Sequence, residues 1–162
     1  MSDATPYALD EHEPSAATDK LAAVDALYRY AAGIDLRDAA LIESALADEA
    51  ISDFRPAAAK AGFEYPVLQG KQTIVDALSA SLKSLDTTHT VSNARVSIEA
   101  DRAHIDALVE AQHVPRNDPS SHYLMKNRYN VDLVRSGSSW VIRHVVVDNV
   151  WRHGDPAVLS VI

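Results

Sequence analysis

The hydrophobic repeat of this chain changes period once, near His89, and that change limits the folds open to it. Before His89, apolar residues recur at helical spacing. Leu21, Val24, Leu27, Tyr28 and Ala31 form one stripe, Leu41, Ile42, Ala45 and Leu46 a second, and Ile74, Val75, Leu78 and Leu82 a third. After His89 the period is two, the repeat of a half-buried strand. The spacing predicts strands over 89–99, 103–114, 122–135 and 140–151, with a kink at Asn93 and tight turns at 100–102 and 136–139. Helices followed by a run of strands predict an α+β fold built on a mostly antiparallel sheet.

The helical half carries its own punctuation. Thr18 is the expected cap of the first helix and Gly33 its expected terminator, and a second helix follows Asp38. A brief strand is expected at 50–54. Residues 55–69, with Pro56, Gly62 and Pro66, read as irregular, and a third helix starts after Gly70. Residues 1–17 are small, polar and acidic and read as a flexible arm, 18–156 as one domain and 157–162 as a tail.

At 162 residues the chain suits one domain, and 47% hydrophobic content is enough for a core. The formal net charge of -8, with no run of Lys or Arg, argues against a nucleic-acid partner and against an anionic membrane surface. There is no cysteine, which excludes disulfides, thiolate metal sites and a cysteine nucleophile. No signal-peptide pattern opens the sequence, and no apolar run approaches the ~20 residues of a membrane helix, so a cytoplasmic protein is expected.

Polar residues that share a strand face with apolar ones are the candidates for function. His113 closes the row Ala103, Ile105, Ala107, Val109, Ala111, and Asn127 and Tyr129 interrupt the row Tyr123, Met125, Val131, Leu133. Burying such groups costs a few kcal/mol unless they are paired or face a wet cavity. Taken singly, each also suits a satisfied core residue. Asp35 ends the first helix, where a carboxylate opposes the helix dipole and needs a compensating partner, for which a histidine is suited. The last strand is apolar at both parities (Trp140, Val141, Ile142, Val145, Val146, Val147, Val150, Trp151), which predicts burial on both faces and a homo-oligomer, a dimer or trimer packed through the sheet.

These pieces stand in an order that resembles the SnoaL-like branch of the nuclear transport factor 2-like superfamily, and within it the scytalone dehydratases. Asp35 ends the first helix; Asp53-Phe54-Arg55 follows on the short strand; Thr87-Thr88-His89 opens the sheet; His113 ends an inward row; Asn127 and Tyr129 occupy the next strand; Trp140 follows the tight turn; and Asp148-Asn149-Val150-Trp151 closes the sheet. The resemblance spans roughly 20–155. It implies a cone whose curved sheet surrounds a pocket, an Asp35–His89 hydrogen bond, and His113, Asn127 and Tyr129 on the pocket wall. Tyr30, five residues before Asp35, is similar to the spacing in bile-acid dehydratases, and hexachlorocyclohexane dehydrochlorinase is similar again in its Asp–His pair. Two tyrosines that hold a water on the substrate carbonyl in scytalone dehydratase are replaced here by Ile34 and Phe54, and an Asn by Tyr129. The electrophilic half of that mechanism is therefore absent or rebuilt from Tyr30, Tyr129 or Arg55.

The reading that follows is a cofactor-independent lyase or isomerase, dehydratase-like, acting on a small hydrophobic carbonyl compound. Asp35, His89 and His113 are the catalytic candidates; Tyr30, Phe54, Arg55, Asn127 and Tyr129 are the substrate-binding ones. Two other readings stay open. Asp35, His89 and His113 also make a two-His, one-carboxylate metal set, although no His-x-x-x-His or His-x-Asp motif supports it and no metal is expected. The cone could also bind a small ligand without chemistry, or serve as an assembly subunit like the β-subunits of ring-hydroxylating dioxygenases.

Overall fold

The computed structural model describes residues 15–160. The first helix, α1 (Ala16–Leu36), is capped by Ser15, whose Oγ accepts the Thr18 N–H at 3.2 Å. The cap thus falls three residues before the expected Thr18; of the arm expected at 1–17, residues 1–14 lie outside the described residues. The helix also passes through Gly33 and ends at Arg37, which takes the left-handed conformation (φ 55°). Gly33 serves packing instead of termination. A Cβ there would lie 2.6 Å from Ile42 Cγ1 and 2.8 Å from the Ile42 backbone nitrogen, on the adjoining helix α2 (Ala39–Ala45).

The chain continues through β1 (Leu46–Asp53), α3 (Arg55–Ala61), β2 (Leu68–Gln69) and α4 (Lys71–Ser81). The short strand is therefore longer than 50–54, and the stretch expected to be irregular begins with a helix. Pro56 sits in its first turn, where its missing N–H costs nothing, and three alanines follow. The Asp53 carboxylate holds this turn, accepting the Arg55 backbone N–H at 3.1 Å and its guanidinium at 2.8 and 2.9 Å.

Four long strands follow: β3 (Leu85–Glu99), β4 (Arg102–Pro115), β5 (Tyr123–Ser136) and β6 (Ser139–Gly154). The six strands form one sheet in the order β2-β1-β6-β5-β4-β3, antiparallel except that β1 runs parallel to β6. It is a mixed α+β architecture with an open, curved sheet. Three register shifts mark where the long strands bend: after Ser92 in β3, where Asn93 has φ 53°, at Arg143, and at Val150. The expected kink at Asn93 is thus a bulge.

One face of the sheet packs on the helices. Ile105, Ala107, Val109, Val131 and Leu133 are all buried, as their parity predicts. Trp140 fixes α1 to the far end: its Nε1–H donates to Asp19 at 2.9 Å, and Arg135 pairs with Asp19 at 2.8 Å while stacking 4.2 Å over the indole. The last strand is buried on both faces only in part, since Val150 and Trp151 are 56% and 48% exposed. After Gly154 the chain makes a 3-10 turn (Pro156–Ser160), which buries Val158.

Gly33 gives the fold a specific test. Alanine favours a helix interior by about 1 kcal/mol over glycine. Here the added methyl meets backbone that cannot move freely, a cost of about 1–3 kcal/mol. Gly33→Ala should therefore lower Tm by several degrees in thermal unfolding; an unchanged or raised Tm would contradict the α1–α2 contact.

Candidate active site

The helices and the inner sheet face do not meet everywhere. Ala107 and Ala111 are small residues in the middle of β4, opposite Tyr129 and Met125 on β5. Ala111, Met125 and Tyr129 line a cavity of about 360 Å³. Its wall is mostly apolar, with Ile34, Phe54, Leu78, Met125 and Val147 among its residues, and its polar groups are few: Tyr30, Ser52, Glu64, Ser81, His89, His113, Asn127 and Tyr129. A largely apolar cavity with a few converging polar groups is the form of a small-molecule site.

The Asp35 carboxylate, in the last turn of α1, is not itself a lining residue and reaches the cavity through His89. Three donors from the start of β3 hold it. His89 Nδ1 lies 2.6 Å from Oδ1, the His89 backbone N–H donates to Oδ2 at 2.7 Å, and the Thr87 hydroxyl donates to Oδ1 at 2.9 Å. Arg37, just past the helix end, ties the same two elements together by donating to the Leu85 carbonyl at 2.6 Å and to Asp86 at 2.9 Å. These contacts exist because β3 begins at Leu85, four residues before the change of period at His89. Burial works to raise the Asp35 pKa, but the His89 ring, its charge and backbone N–H, and the Thr87 hydroxyl together hold it below the usual carboxylate value. Asp35 is thus an anion that accepts a proton-bearing Nδ1, which leaves the Nε2 of a neutral His89 as a bare acceptor.

His113 is buried and lies edge-on to His89, their ring centroids 5.9 Å apart. Its Nδ1 faces the Tyr123 carbonyl at 3.1 Å and donates to it, so its Nε2 is also an acceptor. Burial first, and then the charge of His89, push its pKa down to about 4. The ring is neutral at pH 7 and is built to accept a hydrogen bond, which does not suit it as the acid of a proton transfer.

The phenols have the opposite character. Burial pushes Tyr30 up to about 12 and Tyr129 above the ordinary tyrosine range. Both hydroxyls stay protonated and can donate, and they lie close enough to influence each other. They line the cavity with Asn127. Ile34 and Phe54 form apolar wall, and Tyr30 and Tyr129 bring hydroxyl donors to the same cavity.

Arg55 is the sequence candidate that the structure places elsewhere. Its side chain is 64% exposed, paired to Asp53, and absent from the cavity wall. The wall also holds residues that sequence patterning did not single out. Phe63, Glu64 and Tyr65 come from the segment between α3 and β2, and Phe54 packs edge-on against Tyr65 with centroids 5.6 Å apart. Two aromatics in a turn-rich stretch were the available signal. Leu159, in the 3-10 turn, reaches the same wall, so part of the expected tail borders the site. Among the described residues, no group of three or more His, Asp or Glu side chains is arranged to hold a metal ion. No helix there is long and apolar enough to cross a membrane.

Comparison with known proteins agrees with this fold. Terrestric acid biosynthesis cluster protein E of Penicillium crustosum is 29% identical over 152 residues, covering 90% of this chain and 92% of that protein. A solved structure from Kribbella flavida superposes with a TM-score of 0.79 at 23% identity, covering 90% of this chain and 99% of the other. Hexachlorocyclohexane dehydrochlorinase of Novosphingobium barchaimii superposes with a TM-score of 0.68 at 17% identity, covering 84% and 90%. A Novosphingobium aromaticivorans protein assigned provisionally to the scytalone dehydratases gives 0.69 at 13%, covering 83% and 87%. The profile of the SnoaL-like domain matches residues 15–146, a stretch that includes Asp35, His89, His113, Asn127 and Tyr129. The chain belongs to the SnoaL-like domain family.

Proposed function

We propose that the cavity is the active site of a cofactor-independent lyase or isomerase that moves a proton on a small, largely apolar carbonyl compound. The observation that carries this reading is the 2.6 Å contact of Asp35 with His89, a residue on the wall of a cavity that also holds two protonated phenols, Tyr30 and Tyr129. A relative of the same fold is a dehydrochlorinase, an enzyme of elimination chemistry.

In this reading neutral His89 Nε2 takes a proton from the carbon next to the carbonyl. The C–H electron pair forms the C=C bond of an enolate, and the carbonyl π pair moves onto oxygen. The Tyr30 and Tyr129 hydroxyls donate to that oxyanion, a service worth several kcal/mol in a dry site. Asp35 keeps Nδ1 protonated and stabilises the imidazolium. With a β,γ-unsaturated ketone the enolate is a dienolate: the γ-carbon takes the proton back, the remaining pair forms the α,β C=C bond and the oxyanion re-forms the carbonyl, which is isomerisation. Alternatively the proton passes to a hydroxyl leaving from the β-carbon as the enolate pair forms the new C=C bond, which is dehydration. His113 accepts a hydrogen bond from the substrate and thereby orients it.

We also assign the outer face of the sheet to a homo-oligomer, on the ground that Val150 and Trp151 are exposed there. Light scattering should show at least a dimer at micromolar concentration; a single species near 17.6 kDa would refute it.

Proton abstraction can be tested before the natural substrate is known. In D2O, the wild type should speed exchange of the α-protons of 2-indanone, followed by proton NMR. His89→Ala should abolish the acceleration, and Asp35→Asn should lower it by about 10²–10⁴-fold through loss of tautomer control. A wild type that binds the ketone without exchanging it, or a His89→Ala variant that exchanges it as fast, would make the cavity a binding module and defeat the mechanism.

A further inference from the structure

The bulge at Val150 has a consequence for what the cavity can hold. In the β5–β6 ladder Asn127 pairs with Asn149, yet the next pair is Lys126 with Trp151, so Val150 is an extra residue. Asn149, which shares the inward parity of Val145 and Val147, lies beside Asn127, and each is only 1% exposed. The orientation of the Asn149 amide is fixed by backbone. Its Nδ2 donates to the Trp151 carbonyl at 3.0 Å and to the Lys126 carbonyl at 3.4 Å, groups that only accept, while Arg152 donates to its Oδ1 at 3.4 Å. The same Nδ2 meets Asn127 Oδ1 at 2.9 Å. If the Asn127 amide were reversed, two NH2 groups would face each other. Its only satisfied arrangement therefore points Oδ1 at Asn149 and leaves Nδ2 on the side of the cavity that Asn127 lines. Among the described residues that Nδ2 makes no hydrogen bond, and it is open to the cavity, since the one sealed side-chain polar atom left without a partner there is the Tyr123 hydroxyl.

We propose that Asn149 is a positioning residue that makes Asn127 a one-way donor, so that the cavity selects ligands carrying an oxygen acceptor against the Asn127 wall. The Asn127 donor would stay unpaired with a hydrocarbon ligand and be satisfied by a carbonyl or ether oxygen; leaving a buried donor unpaired costs about tenfold or more in affinity. The proposal rests on the cavity being the binding site assigned above, but not on any chemistry there. It narrows the substrate class to compounds with one oxygen acceptor that contacts Asn127 while another part of the molecule reaches His89.

The test is a matched pair of probes, 2-indanone and indane, of similar size and differing in one carbonyl oxygen. Binding is followed by ligand-observed NMR or calorimetry. The wild type should prefer 2-indanone by about tenfold. Asn149→Asp keeps the side-chain shape but puts an acceptor where Nδ2 was, so Asn127 turns over and the preference should fall to about twofold or less. Asn127→Leu should lower it to the same extent, any remainder coming from the Tyr30 and Tyr129 hydroxyls. In Asn127→Leu the affinity for indane should rise, because no donor is left unpaired, whereas a merely structural disturbance would weaken binding of both probes. His89→Ala, which stops proton transfer, should keep the preference, and this separates failure of the proposal from failure of the proposed chemistry. A wild type that binds both probes equally or binds neither, or a preference that survives undiminished in either Asn149→Asp or Asn127→Leu, overturns the proposal.

Discussion

The contact on which the rest depends is the carboxylate of Asp35 held at the C-terminal end of α1. A negative charge there opposes the helix dipole and is half withdrawn from water, and alone it would destabilise the helix end. Three donors from Thr87 and His89 satisfy it, and all three belong to β3, the edge strand farthest from β1. The pair therefore ties the first helix to the far edge of the sheet and helps to close one side of the cavity. The same bonds set the tautomer of His89. Architecture and chemical poise are thus one interaction, and substitution of Asp35 bears on both.

Around that pair the cavity separates its hydrogen-bonding character. His89 and His113, from β3 and β4, each commit Nδ1 to a protein acceptor and keep Nε2 free. Tyr30, Tyr129 and Asn127, from α1 and β5, present protons. Bare imidazole nitrogens and hydroxyl and amide donors in one cavity suit a reaction in which a proton leaves carbon while negative charge gathers on oxygen. Desolvation supports the division, since it keeps His113 neutral and both phenols protonated.

Much of this was legible in the sequence. The change of period at His89 gave the fold class, and strict alternation along β4 and β5 identified His113, Asn127 and Tyr129 as inward residues, because side-chain direction in a strand follows from parity alone. What escaped notice depends on contacts between distant segments. Gly33 looks like a helix terminator until Ile42 is seen packed against it. Pro56 looks like a breaker although it sits in a first helical turn, and Arg55, beside it, pairs with Asp53 outside the cavity. Asn149 shares its parity with Val145 and Val147, but only the bulge at Val150 brings its amide to the backbone carbonyls that orient it. Bulges and loop aromatics such as Phe63 and Tyr65 leave no periodic trace, so patterning cannot place them.

The account turns on the protonation of one ring, and nitrogen-15 NMR reads that directly. With histidine labelled and His89 assigned at neutral pH, the account predicts a ring protonated at Nδ1 and bare at Nε2, with that preference lost in Asp35→Asn. A His89 ring protonated at Nε2 in the wild type, or a tautomer indifferent to Asp35→Asn, would contradict the account at its centre.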